Sequence, residues 1–249
     1  MIFDGKPSIV GHRGLGAGLR DGRRENSIAS FLAAAAAGLS WVELDVRRGR
    51  EGDLMVWHDP VTPAGAAVAT GAAADLAAEG VVTLAEVLAA LPADVAVDID
   101  VKTIMDDAVD PPARRTHALV ADVLRSEAGS RRFLVSSFDP AAVVFLAGQR
   151  DFIGDVALGL ITAVDFPAQQ AVPAAANLGL DAVCLHTGSL TATPEHTIGT
   201  AHRAGLEVLA WCPGPAGAVR LAGAGVDAVC VNDIAGVQAA LASAIGGRD

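Results

Sequence analysis

Residues 41–60 read WVELDVRRGREGDLMVWHDP, and this stretch decides how the rest of the chain is interpreted. In its first part, WVELDV, a single apolar residue separates Glu43 from Asp45. Successive side chains of a strand point to opposite faces, so these two carboxylates are expected to share one face. Buried carboxylates repel each other and persist only when they are paired or bind a metal ion. The stretch therefore predicts a strand with a chemical role.

A second strand-like run, LMVWHD at residues 54–59, follows after a short turn rich in Gly and Arg. So short a connection cannot form a parallel crossover, and the two runs are therefore predicted to form a β-hairpin. The hairpin would carry His58 back toward the end of the strand that holds Glu43 and Asp45. Residues 61–80, rich in Ala and Gly, are predicted to link this hairpin to the next unit.

Short runs rich in β-branched residues alternate with Ala- and Leu-rich helical stretches along the chain. The strand candidates are SIVGH, WVELDV, VAVDIDV, RFLVSSF, VALGLIT, DAVCLH, EVLAW and DAVCV. The helical stretches are predicted to begin near Glu25, Thr83, Pro112, Pro140, Ala168, Pro194, Pro215 and Ile234. Eight strand–helix units in 249 residues predict an α/β fold, a (β/α)8 TIM barrel in which residues 1–249 form a single domain. A doubly wound open sheet is the alternative, but its glycine-rich dinucleotide motif is absent.

Composition excludes several classes of protein. Hydrophobic residues make up 52% of the chain, which is enough for a large core and argues against disorder. The net charge of −11 argues against nucleic acid as a partner. Cys184, Cys212 and Cys230 form no CxxC motif, and neither a signal peptide nor a membrane-spanning stretch is visible. We therefore expect a cytoplasmic protein with reduced thiols and no stable membrane insertion.

Several strands end in residues that carry chemistry. Active sites of TIM barrels lie at the carboxyl ends of the strands, so these side chains would meet at one mouth. The residues concerned are His12, Arg13, Glu43, Asp45, His58, Asp98, Asp100, Lys102 and Trp211. Each of them alone has an ordinary structural explanation, such as a packed Trp or a solvated strand with alternating charges. Together they favour a functional site, because several separate strands place charged and acid–base side chains at the same end of the barrel.

The motifs that carry these residues resemble those of the glycerophosphodiester phosphodiesterases. The matching motifs are HRG (12–14), EN (25–26), ELDV (43–46), HD (58–59), TLAEVL (83–88) and a strand that ends in carboxylate–x–Lys. Trp211 after EVLA, and GVDAVCVND at residues 225–233, resemble the last two strands of that family. The resemblance extends from about residue 8 to residue 236.

The resemblance implies a role for each matching residue. It assigns Glu43, Asp45 and Asp100 as metal ligands, His12 and His58 as the general acid and base, Arg13 and Lys102 as phosphate-binding cations, Trp211 as a pocket wall and Glu25 as a supporting acid. His186, at the end of the sixth barrel strand, is a weaker candidate. Carboxylate oxygens suit a hard divalent cation such as Mg²⁺ or Ca²⁺. The sequence is compatible with either ion.

The resemblance also implies an activity, the metal-dependent hydrolysis of a small glycerophosphodiester to glycerol 3-phosphate and an alcohol. The nucleophile is either water or the glycerol 2-hydroxyl. Two alternatives stay open: lysophospholipase D activity on a one-chain lipid, and non-catalytic binding of a phosphodiester. The sequence departs from the family at Asp100, where Glu is usual, and at VND (231–233), where Thr-Asp is usual. The insertion after His58 is reduced, and the sequence fixes no oligomeric state.

Overall fold

The computed structural model describes residues 1–5, 7–127 and 129–246. Its strands are β1 (Ser8–Gly11), β2 (Leu19–Arg20), β3 (Arg23–Arg24), β4 (Trp41–Arg48), β5 (Leu54–Val56), β6 (Val82–Thr83), β7 (Ala96–Val101), β8 (Phe133–Ser137), β9 (Ala157–Ile161), β10 (Ala182–His186), β11 (Glu207–Trp211) and β12 (Ala228–Val231). Its helices are α1 (Ile28–Ala36), α2 (Ala73–Ala78), α3 (Leu84–Ala90), α4 (Thr116–Ser126), α5 (Pro140–Ala147), α6 (Arg150–Ile153), α7 (Ala168–Asn177), α8 (Pro194–Arg203), α9 (Pro215–Gly223) and α10 (Ile234–Gly246).

The central sheet closes on itself. Strands β1, β4, β7, β8, β9, β10, β11 and β12 pair in parallel in that order, and β12 returns to pair with β1. At least one helix lies in each connection between consecutive barrel strands. The predicted (β/α)8 TIM barrel is therefore confirmed. In the pairing of β4 with β7, Glu43 lies beside Asp98 and Asp45 beside Asp100.

The hairpin predicted after the second barrel strand is present. β5 runs antiparallel to β4, with Val46 paired to Val56, and β6 pairs antiparallel with β5. Trp57 N donates a hydrogen bond to Asp45 O at 3.0 Å. The hairpin thus returns the chain to the end of β4 that carries Asp45, immediately before His58.

Two predicted helix starts are displaced along the chain. α1 begins at Ile28 and not near Glu25, because Asn26 adopts a left-handed φ of 53° and Ser27 caps the helix through its side chain. Near Pro112 the chain forms a short 3₁₀ turn, and α4 begins at Thr116. The carboxylate of Asp107 accepts a hydrogen bond from Thr116 N at 2.9 Å, so a distant acid caps this helix. The short α2 and α6 were not predicted.

The interior of the barrel changes character along its axis. Trp41, Glu43 and Asp45 alternate with Val42, Leu44 and Val46, which pack outward against the helices. Phe3 and Trp41 fill the amino end of the barrel, with ring centroids 5.1 Å apart. The core is therefore apolar below Glu43 and acidic above it. Among the described helices, none has the length and apolar character needed to cross a bilayer.

Candidate active site

A cavity of about 320 Å³ opens at the carboxyl end of the barrel. Its wall includes the predicted residues His12, Arg13, Glu43, Asp45, His58, Asp100, Lys102 and Trp211. Its lining also includes the apolar or weakly polar side chains of Ile161, Cys184, Leu209 and Cys230. Glu25 does not line this cavity, and neither does His186. Of the nine residues to which the resemblance gives a role, eight line the cavity and Glu25 does not.

Three of these side chains form a buried acidic cluster. Glu43, Asp45 and Asp100 each offer a carboxylate oxygen, and these oxygens lie within 4.8 Å of one another. Burial raises the pKa of Glu43 well above its ordinary range, and repulsion from Asp45 and Asp100 adds to the rise. Burial also raises the pKa of Asp100 to about 6, although the Lys102 ammonium opposes this rise.

Two cations lie against the cluster. Lys102 Nζ is 3.0 Å from Asp45 Oδ1 and also contacts Asp100 Oδ2. Arg13 Nε is 3.2 Å from Asp45 Oδ2. Burial by itself would raise the pKa of Asp45, but Lys102 and Arg13 outweigh it and lower this pKa. Asp45 therefore stays ionised. Repulsion from the neighbouring carboxylates adds instead to the raised pKa of Glu43.

Arg13 is held in place from several directions. Its backbone adopts a left-handed φ of 51°, and its N–H donates to Glu43 Oε2 at 2.8 Å. Glu25 Oε1 accepts a hydrogen bond from Arg13 Nη1 at 2.9 Å, and the other Glu25 oxygen accepts one from Gly18 N. Glu25 therefore contacts Arg13 from behind the cavity wall.

The cluster fits a hard divalent cation. Asp100 Oδ1 is buried and has no hydrogen-bond partner, which is costly for a carboxylate oxygen unless a cation lies against it. The donor set consists of carboxylate oxygens, which are typical ligands of Mg²⁺ and Ca²⁺. A cation would also relieve the repulsion that raises the pKa of Glu43.

The two histidines approach the cavity from different elements. His12 follows β1, its Nδ1 lies 2.7 Å from Asn232 Oδ1, and its Nε2 lies 3.9 Å from Glu43 Oε2. His58 follows the hairpin, and its Nδ1 lies 2.7 Å from Asp59 Oδ1. Each ring therefore uses one nitrogen for a side-chain partner, while the other nitrogen is available for a reacting group.

Sequence reasoning assigned no role to several side chains that support the site. Asn26 Nδ2 donates to Asp45 Oδ2 at 2.8 Å, and Asn26 Oδ1 accepts from Asp45 N at 3.3 Å. Arg47 Nε donates to His58 O at 2.7 Å. Arg47 continues the period of two set by Glu43 and Asp45, so the strand pattern contained a signal for it. Asn232 and Asp59 lie inside recognised motifs, but the sequence did not show that their side chains contact His12 and His58.

Aromatic side chains form one side of the mouth. Phe138 and Trp211 meet edge to face, with centroids 6.2 Å apart and planes at 82°. His186 packs against Trp211 at 4.4 Å, and its Nδ1 accepts a hydrogen bond from Gly188 N at 3.1 Å. Lys102 Nζ lies 5.0 Å from the centre of the Phe138 ring. His186 thus contacts Trp211 and takes no part in the cavity wall.

Asp98 gives a prediction about stability. Burial raises the pKa of Asp98 to about 7 from its ordinary 3.8, against the effect of a 2.7 Å hydrogen bond from Ser136. The folded metal-free protein therefore binds a proton that the unfolded chain releases, and it loses stability as the pH rises from about 4 to about 7. Asp98→Asn is expected to raise the free energy of unfolding near pH 8 by up to about 4 kcal/mol, at about 1.4 kcal/mol per pKa unit.

Denaturant titrations of the metal-free protein over a pH series measure this effect. The gain in stability from Asp98→Asn should shrink steadily toward about pH 4, where the carboxyl is protonated in both states. An equal gain at both ends of the series would contradict the assignment of the raised pKa to Asp98.

A model of the glycerophosphoryl diester phosphodiesterase family matches residues 12–235. Because this match covers most of the 249 residues, the chain belongs to the glycerophosphoryl diester phosphodiesterase family. The predicted family is therefore confirmed.

A curated relative matches over a short segment. Glycerophosphocholine phosphodiesterase GDE1 of Eremothecium gossypii is 40% identical over 55 residues, which are 20% of this chain and 4% of that protein. The matched segment thus represents a small part of the curated relative's length. This relation supports the family but leaves the activity of the whole protein to be proposed.

Solved structures share the fold over the whole barrel. A protein of Galdieria sulphuraria, provisionally named a glycerophosphodiester phosphodiesterase, superimposes with a TM-score of 0.79 at 20% identity, over 95% of this chain and 98% of that one. A phosphodiesterase of Oleispira antarctica, solved in complex with the product sn-glycerol-3-phosphate, gives a TM-score of 0.76 at 21% identity, over 95% and 97%. At these identities the likeness supports the fold.

Proposed function

We propose that this protein hydrolyses glycerophosphodiesters to glycerol 3-phosphate and an alcohol, with a divalent metal ion at the acidic cluster. The observation that carries the proposal is the meeting of three buried carboxylates, two cations and two histidines around one cavity. Binding of a phosphodiester without catalysis would explain the charged side chains. It would not require two histidines, each with a ring nitrogen available for a reacting group. A non-catalytic role in phosphodiester binding is therefore less well supported.

Glu43, Asp45 and Asp100 would hold the metal ion, Mg²⁺ or Ca²⁺, which would stabilise the charge that develops on the phosphoryl oxygens. Arg13 and Lys102 would bind the same phosphate as fixed cations beside the cluster. Both lie within 3.2 Å of Asp45, so they reach the centre of the acidic cluster. Glu25 would support Arg13 through its 2.9 Å hydrogen bond.

The two histidines would divide the proton transfers. The leaving alkoxide needs a proton, and the nucleophile must lose one. The carboxylate of Asp59 lies 2.7 Å from His58 Nδ1 and would orient the ring by accepting a hydrogen bond from it, and we assign His58 as the acid. His12 would then be the base. Trp211 would contact the part of the substrate that lies outside the metal cluster.

A panel of substrates tests this function. The purified protein, first stripped of metal, would be supplied in turn with Mg²⁺, Ca²⁺ or Mn²⁺ and with glycerophosphocholine, glycerophosphoethanolamine or a lysolipid. The proposal expects release of glycerol 3-phosphate from at least one glycerophosphodiester when a metal ion is present. Binding of these substrates without turnover under every metal condition would favour the non-catalytic alternative.

Lysophospholipase D activity on a one-chain lipid is the second candidate, and exposed apolar side chains favour it. The loops at the mouth of the barrel expose Leu19, Met105, Val109, Phe138, Val164 and Phe166. Met105 is 93% and Val109 is 83% exposed, and exposed apolar side chains mark a contact surface where they form a continuous patch. An acyl chain beside the cavity would cover them. Faster turnover of the lysolipid than of glycerophosphocholine would select this candidate.

We also propose a cytoplasmic location with reduced thiols. Cys184, Cys212 and Cys230 are all free, and burial raises the pKa of the Cys184 and Cys230 thiols well above the ordinary value. Cell fractionation with thiol counting on the denatured protein tests this proposal. We expect three titratable thiols in the cytoplasmic fraction. Secreted protein, or any disulfide between two of the cysteines, would contradict it.

A further inference from the structure

Asn232, the first residue after β12, has a side chain with three polar neighbours. Its Oδ1 accepts a hydrogen bond from Ala17 N at 2.8 Å, and His12 Nδ1 lies 2.7 Å from the same oxygen. Its Nδ2 donates to Cys212 Sγ at 3.5 Å. A backbone N–H can only donate, so the Asn232 atom that faces both Ala17 and His12 must be the amide oxygen.

This contact determines which nitrogen of the neutral His12 ring carries the hydrogen. An amide oxygen only accepts hydrogen bonds, so His12 Nδ1 must be the donor. In the neutral ring the lone pair then lies on Nε2, which faces the acidic cluster 3.9 Å from Glu43 Oε2. We propose that Asn232 is a positioning residue that holds His12 in the Nδ1–H tautomer and so leaves Nε2 free to take a proton.

The loop between β1 and α1 is built to keep Asn232 in this orientation. Gly16 has a φ of +125°, and a Cβ at this position would lie 2.3 Å from Asn232 O. Only glycine lets the loop approach so closely, and the approach brings Ala17 N onto Asn232 Oδ1. The loop thus holds the Asn232 amide in one orientation, and the amide in turn holds the His12 ring in one tautomer.

The inference rests on the proposed function, since it names the group that prepares His12 for its role as base. The incorrect tautomer would present Nε2–H to the nucleophile, and that nitrogen could not accept a proton. Groups that orient metal-binding histidines typically contribute 10- to 100-fold to activity, and we take the same range for a histidine that accepts a proton. We expect a loss of about that size when Asn232 no longer accepts the hydrogen bond.

Three variants separate this role from a merely structural one. Asn232→Leu has a similar shape but no acceptor, and it should lower kcat about 10- to 100-fold with little change in KM. Asn232→Asp keeps an oxygen for both Ala17 N and His12 Nδ1, and it should recover most of the lost rate. The matched control is Asn177→Leu, the same substitution at the exposed last residue of α7, which should behave like the wild type.

Nitrogen NMR of protein labelled at histidine reads the tautomer directly and does not need activity. In the wild type and in Asn232→Asp, the neutral His12 ring should carry its hydrogen on Nδ1, whereas Asn232→Leu should shift the population toward Nε2–H. A wild-type ring with its hydrogen on Nε2 would overturn the inference, and so would wild-type kcat in Asn232→Leu. If Asn232→Leu does not fold, the wild-type and Asn232→Asp spectra still decide. A wild-type protein inactive on every phosphodiester would refute the proposed function, while its spectrum would still decide the tautomer.

Discussion

Replacing His58 with Gln is expected to slow hydrolysis of glycerophosphocholine by about 10²–10⁴-fold, the usual contribution of general acid–base catalysis. His12→Gln is expected to cause a loss in the same range, because the nucleophile would then have no base. Substrate affinity should change far less in either variant. Arg13 and Lys102, which both contact Asp45 of the acidic cluster, would still hold the phosphate. Steady-state kinetics with kcat and KM resolved would measure both effects.

A substrate with a nitrophenolate leaving group distinguishes the two roles. Nitrophenolate leaves without a proton, so His58→Gln should be nearly as fast as the wild type on this substrate. His12→Gln should be slow on both substrates, because the nucleophile must lose its proton in either case. Equal losses of rate in both variants on both substrates would refute the assignment of His58 as the acid and His12 as the base. A wild-type rate in either variant would remove that histidine from the site.

Asp45→Asn is expected to weaken binding of the divalent ion, and to reduce turnover, by at least about 100-fold, the upper end of the loss seen when a group behind a metal ligand is removed. The substitution keeps the shape of the side chain and removes a charge that Lys102 and Arg13 hold ionised. Titration calorimetry with Mg²⁺ and Ca²⁺ measures the binding. Asp98→Asn is the matched control, since Asp98 is also buried and lines the cavity but lies outside the acidic cluster. Equal losses in the two variants would contradict the assignment of Asp45 as a ligand.

The parts of the site that could be predicted from sequence follow short-range patterns. Glu43 and Asp45 share a face because strand side chains alternate, and Asp98 and Asp100 share a face for the same reason. Those acids meet because β4 and β7 pair in register, which the barrel architecture implies. The resemblance of the HRG and HD motifs then indicated His12, Arg13 and His58. Local periodicity and motif spacing were enough to assemble this part.

The remaining contacts depend on parts of the chain that lie far apart. Asn232 meets His12 across 220 residues, and Asp107 caps the helix that begins at Thr116 through a loop with no regular pattern. α1 begins later than predicted because Asn26 leaves the helical region to reach Asp45. Such contacts are selected by side-chain geometry in the folded state. No local propensity of the sequence encodes them.

The central claim is that metal bound at Glu43, Asp45 and Asp100 supports hydrolysis of a glycerophosphodiester. Phosphorus NMR of glycerophosphocholine, incubated with exhaustively chelated protein before and after Mg²⁺ or Ca²⁺ is restored, tests it most directly. The account predicts no glycerol 3-phosphate from the chelated protein and its steady appearance once the ion is added, with release by Asp45→Asn at least about 100-fold slower than by the wild type. Undiminished release of glycerol 3-phosphate by the chelated wild-type protein would contradict the account.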